Sequence, residues 1–119
     1  FGEEKEETLI AANNYAATLI DLKRFEEVRS LMRGVMPVAR RVLGESDALN
    51  FRMRWSYAEA LYKADGATLD DVREAVATLE DTERTARRVL GGAHPTVVDV
   101  QRALQNARAA LRAREPPNT

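Results

Sequence analysis

Ala39-Arg40-Arg41-Val42-Leu43-Gly44 returns letter for letter as Ala86-Arg87-Arg88-Val89-Leu90-Gly91, and Phe1-Gly2 reads as a clipped third copy. The glycines fall at intervals of 42 and 47 residues. Self-similarity at a spacing of about 20–50 residues marks a solenoid of stacked units, so the interval decides the fold class before any local pattern does. Each phrase has the form of a helix end. Its arginines complement the negative end of the helix dipole, and its glycine is free to take the left-handed cap.

Working outward, the first unit pairs two amphipathic segments. Leu9, Ala12, Tyr15, Ala16, Leu19 and Leu22 recur at three- and four-residue steps, the spacing of one helix face. The acidic run Glu3–Glu7 before them suits a helix N-terminus. Lys23-Arg24 makes a short turn. Phe25, Val28, Leu31, Met32, Val35, Ala39 and Val42 then mark the inner side of a second helix, which Gly34 and Pro37 are expected to kink without breaking.

The second unit repeats the plan. Ser46 is the expected N-cap of a helix burying Phe51, Tyr57, Ala58 and Leu61. Thr68-Leu69-Asp70-Asp71 reads as a capping box opening a helix with the stripe Leu69, Val72, Val76, Leu79, Ala86 and Val89. A further capping box at Thr96 and Asp99 is expected to start the last helix, striped by Val97, Val100, Leu104, Ala107 and Leu111. Its other side carries Gln101, Gln105, Arg108 and Arg112, the wet face of a terminal cap. Five helices are thus expected, near 7–22, 25–43, 47–63, 69–90 and 97–114, the last ending before Pro116-Pro117.

These phrases in order resemble the tetratricopeptide repeats of the kinesin light chain type, whose units are spaced by 42 residues. The linker of that family is matched by Val89-Leu90-Gly91-Gly92-Ala93-His94-Pro95-Thr96. The phrase of its first helix is matched by Thr8-Leu9, Asn13-Asn14, Ala16 and Leu19, and that of its second by Arg24-Phe25-Glu26-Glu27-Val28. The resemblance covers nearly the whole chain. It implies an all-α fold, a right-handed α-solenoid of two helical hairpins (1–43 and 44–90) with a capping helix (91–115) and a tail (116–119). In that family, paired asparagines on the first helix of a unit contact the backbone of a bound peptide. The resemblance carries this role to Asn13 and Asn14 alone, because Trp55-Ser56 stands at the corresponding place in the second unit. Glu45-Ser46-Asp47 likewise replaces the His-Pro linker there.

At 100° per residue, Arg52, Trp55, Ser56, Glu59, Tyr62 and Lys63 share one side of their helix. Ile10, Asn13, Asn14, Ala17, Ile20 and Asp21 share the equivalent side of the first. These sides are expected to line a concave groove, with Trp55 and Tyr62 as aromatic anchors for a peptide. Trp55 has a second reading, as packing against the neighbouring unit.

The rest of the composition excludes more than it assigns. Of 119 residues none is Cys and one is His, so neither thiolate chemistry nor a His-based metal pair or triad can be assembled. His94 is expected to sit structurally at the start of the last helix, and no metal or cofactor is expected. The net charge is −1. Seven arginines (84, 87, 88, 102, 108, 112 and 114) make the last third basic, but no stacking aromatic is interleaved among them, which argues against nucleic acid. No apolar run approaches the ~20 residues of a membrane span. The absence of Cys fits a reducing compartment, and the cytoplasm is the expected location.

The expected function is a non-enzymatic scaffold that offers its groove to a peptide or a protein. The alternative is a structural module for oligomerisation or packing within a larger complex. The chain is expected to be the tail end of a longer protein. Its first helix would then lack the unit before it and be prone to self-associate.

Overall fold

A computed structural model describes residues 2–115 as five α-helices and no strand. They are α1 (Gly2–Asp21), α2 (Phe25–Leu43), α3 (Ala48–Lys63), α4 (Leu69–Leu90) and α5 (Pro95–Arg114). Phe1 of the clipped phrase, the Pro116-Pro117 stop and the tail 116–119 lie outside the described residues. α1 starts at Gly2, earlier than the apolar stripe suggested, so the acidic run falls within its first turns. α2 continues unbroken through Gly34 and Pro37 to Leu43. No helix among the described residues is long and apolar enough to cross a membrane.

Short connections force each helix back along the one before it, and cross-helix bonds record that sense. Arg54 pairs with Asp81 while Tyr57, one turn further along α3, donates to Glu74, seven residues earlier on α4. On the next pair, Gln101 reaches Glu83 and Arg108 reaches Glu80. α3 packs against all four other helices. α1 touches α2 and α3, and α5 touches α4 and α3. The described body is elongated, about 56 × 31 × 22 Å.

One continuous core runs through all five helices; it takes in most of the stripe residues of α3, α4 and α5, and also Met53, Ala60, Ala75 and Ala103, which the stripes left out. Phe51, Ala58, Leu61, Val72, Leu79, Val97 and Val100 are fully buried. A smaller cluster of Phe51, Ala86 and Val97, with Leu90, joins the start of α3 to the end of α4 and the start of α5. In α1 the stripe is only half right. Leu9, Ala16 and Leu19 are buried, but Tyr15 is 51% and Leu22 59% exposed. They face the side of α1 that no helix covers. Val89 is also exposed, at 42%.

The repeated phrase gives repeated geometry. Gly44 (φ 85°, ψ 166°) and Gly91 (φ 91°, ψ 152°) end α2 and α4 in nearly the same conformation. Each donates its N–H to the arginine carbonyl four residues back, at 3.0 and 2.9 Å. The φ is positive as expected, but ψ is extended and not that of the left-handed helix. Ala39 and Ala86 are both fully buried.

The N-caps revise two expectations. Ser46 is not the cap of α3. Asp47, in extended backbone, accepts from the Leu49 N–H at 2.9 Å. Nor do Thr96 and Asp99 form a box. His94 caps α5, its Nδ1 accepting from the Thr96 N–H at 3.1 Å, with Pro95 in the first turn where its missing N–H costs nothing. Asp47 and His94 each stand three residues after a phrase glycine, so one register is filled by two chemistries. The Thr68–Asp71 box forms as read, with both reciprocal bonds at 3.0 Å. The Thr68 N–H, with Arg29 nearby, holds the Asp71 carboxyl below its ordinary range.

This cap predicts a graded result for His94. His94→Ala should cost about 1 kcal/mol, the usual loss for a missing N-cap acceptor, whereas His94→Asp should recover most of it. Urea unfolding of the two variants checks this. Equal losses in both would remove the capping role.

Candidate functional site

A groove of about 540 Å³ has walls that come from α1, α3 and α5 only. α1 contributes Asn13, Asn14, Ala17, Ile20 and Asp21; α3 contributes Arg52, Trp55, Ser56, Glu59 and Lys63. Ten of the twelve residues that the sequence placed on these two helix faces therefore meet around one space. They do so because the 42-residue interval places Asn14 and Ser56, or Ala17 and Glu59, at the same angle on adjacent, contacting helices. Pro95, Thr96 and Asp99 of α5 complete the wall.

Ile10, 44% exposed, does not line the groove, and neither does Tyr62. Tyr62 is 8% exposed and belongs to the core between α3 and α5. Burial, and then the Glu59 carboxylate, push its hydroxyl up to about 12 against the opposing bond from Asn106. Its phenol is neutral and largely covered, so it cannot serve as the second aromatic anchor. Tyr62 instead borders an adjoining hollow of about 140 Å³, shared with Trp55, Asp99, Arg102 and Asn106. The wheel puts Tyr62 at the edge of the groove face, and α5 packs against that edge of α3.

Trp55 both packs against the core and lines the groove. The ring is half-buried against the core and still borders both groove and hollow. Its Nε1 is buried and has no hydrogen-bond partner, and the same holds for Oδ1 of Asn13. One wall thus holds an unpaired donor and the other an unpaired acceptor. Such groups cost about 1–3 kcal/mol each when left unsatisfied. Asn14 is exposed, and its backbone carbonyl accepts from the Thr18 hydroxyl.

Charge in the groove is mixed. Lys63 pairs with Glu59, and Arg102 lies 3.8 Å from Asp99 at the rim. Arg52 and Asp21 make no ion pair among the described residues. Two unpaired charges of opposite sign on facing walls suit a dipolar ligand such as a peptide better than a polyanion.

The basic last third is largely neutralised. Arg84 pairs with Asp81, Arg87 with Glu83, Arg102 with Asp99 and Arg108 with Glu80. That leaves Arg88, Arg112 and Arg114 as the arginines of the group without an ion pair among the described residues. Nor, among the described residues, do three acidic or histidine side chains converge as a metal would need.

Sequence reasoning missed the α5 side of the groove. The signal was available, since the 47-residue interval carries Arg52 onto Asp99 and Leu49 onto Thr96. Reading α5 as a cap drew attention to its wet face instead. Comparison with protein-family models, with curated proteins and with solved structures gave no match.

Proposed function

We propose that the chain is a non-catalytic interaction scaffold, a right-handed array of tetratricopeptide-type hairpins whose groove takes an extended peptide segment. The observation that carries this reading is the composition of the groove wall. Alternate helices alone supply it, as a stack of hairpins requires if one helix of each faces inward. Asn13, Asn14 and Trp55 border that single space. An Asn amide offers both a donor and an acceptor, which matches a peptide unit without reading its side chains. Trp55 adds apolar area at low entropy cost, having two side-chain torsions.

The test is selection of extended peptides from a displayed library, followed by titration of the best binder. Trp55→Ala should weaken binding at least ~30-fold, the ~2 kcal/mol or more of a buried aromatic hot spot. Asn14→Ala should weaken it by about 1 kcal/mol, the value of one hydrogen bond. Arg112→Ala on the cap should change it by ~0–1 kcal/mol, mostly at low salt. Circular dichroism checks that each variant is folded. If Arg112→Ala alone abolished binding, the partner would sit on the cap and the groove reading would fail.

A further inference from the structure

Two hollows outside the groove, one between α2 and α3 and one between α4 and α5, are related by the 47-residue interval. Met36, Arg40 and Arg54 line the first, of about 280 Å³. Glu83, Arg87 and Gln101 hold the same three positions in the second, of about 320 Å³. Arg40 and Arg87 are the same letter of the repeated phrase.

The second hollow carries its own carboxylate. Glu83 accepts from Nε of Arg87 at 2.8 Å and from Nε2 of Gln101 at 3.2 Å. Burial works to raise the Glu83 carboxyl, yet the bonds from Arg87 and Gln101 hold it below its ordinary range. This place in the fold is therefore one where a carboxylate is gripped between two helices.

The first hollow keeps the donors and lacks the acid. Met36 stands where the glutamate was, a second arginine, Arg54, stands where the glutamine was, and none of the described residues lining it is acidic. The acids nearby do not saturate the arginines. Arg40 faces Glu45 at 3.4 Å, beyond the ~2.7–2.9 Å of a charge-assisted bond, and both side chains are exposed. Arg54 donates one terminal nitrogen to Asp81, out of five N–H donors on a guanidinium. Asp81 is itself shared. The Arg54 bond holds its carboxyl below the ordinary range against the cost of burial, with Arg84 and Arg40 adding to the effect. Three arginines thus stand around two acids, and the excess positive charge borders the hollow.

We propose that this hollow binds a small organic carboxylate, its anionic end held by Arg40 and Arg54 and its apolar body resting on Met36 and Pro37. The ligand takes the place that the Glu83 side chain fills in the second unit. The site shares no residue with the groove, so it stands whether or not the groove takes a peptide.

Benzoate is the probe, titrated into the chain labelled with nitrogen-15 while the arginine side-chain resonances are followed. Those of Arg40 and Arg54 should shift and saturate in the millimolar range, and benzamide, its neutral counterpart, should not bind. Met36→Glu supplies the internal carboxylate of the second unit and should abolish binding, whereas the neutral Met36→Gln should retain it. Arg40→Gln, at an exposed position, should weaken it at least ~10-fold, the loss of one charge-assisted pair. Arg112→Gln on the cap should leave it unchanged. Equal binding of benzamide, unaltered binding by Met36→Glu or Arg40→Gln, or unsaturable shifts spread over all the arginines would each overturn the proposal. Two further probes identify the source of the anion. Inorganic phosphate and a glutamate blocked at both ends, the latter standing for an acidic side chain of a protein, should bind more weakly than benzoate. Tighter binding of either would overturn the assignment to a small organic acid.

Discussion

Phe51→Ala is expected to lower stability by about 3–5 kcal/mol, the range for removing a buried aromatic ring where the surroundings cannot collapse. The side chain is fully buried at the meeting point of three helices. It touches Ala86 and Leu90 at the end of α4 and Val97 at the start of α5. Ala86 and Val97 are too small to fill the space it would leave. Against a total of about 5–15 kcal/mol for an ordinary domain, that loss would remove a large part of the stability. Urea titration followed by circular dichroism measures it, and a loss under ~1 kcal/mol would show that the cluster contributes little.

The second large effect belongs to the phrase glycines. Gly44 and Gly91 combine positive φ with extended ψ, a region essentially closed to residues with a Cβ. Nothing lies within 4 Å of a Cβ built at either position, so substitution there probes backbone strain without a steric clash. Each Gly→Ala change should cost about 1–3 kcal/mol, less the ~0.4–1 kcal/mol that alanine recovers by restricting the unfolded chain. The two sites share no partner, so the losses should add in the double variant. A double variant as stable as the parent would mean that the helix ends relax at no cost.

Much of this was legible because it depends on short-range chemistry. Both full copies of the phrase end a helix at their glycine, and Leu9, Leu61 and Leu79 are buried because they fall on the side of their helix that a hairpin closes. The groove face of α1 and α3 was legible for the same reason, since one interval fixes the angle of Asn14 and of Ser56 together. What escaped the sequence depends on neighbours. A helical wheel assigns Tyr15 and Leu22 to an apolar side but cannot say that no helix lies over them. It places Tyr62 at the groove edge without showing that α5 comes down on it. The caps escaped for another reason. Asp47 and His94 share a backbone conformation and an acceptor in reach of the N–H two residues on, and residue type alone does not reveal that equivalence.

Among the described residues, no helix packs against one more than two places along the chain, and α1 and α4, or α2 and α5, never meet. Every packing contact therefore closes a short loop of chain, and loop closure is the main entropic barrier to folding. Structure can grow from any hairpin outward instead of waiting for distant segments to meet, which places the chain among fast-folding topologies. The same arrangement makes opening stepwise. α3, held by four neighbours, should keep its amide hydrogens longest in exchange with solvent, whereas α1, held by two, can peel away while the other four helices remain folded.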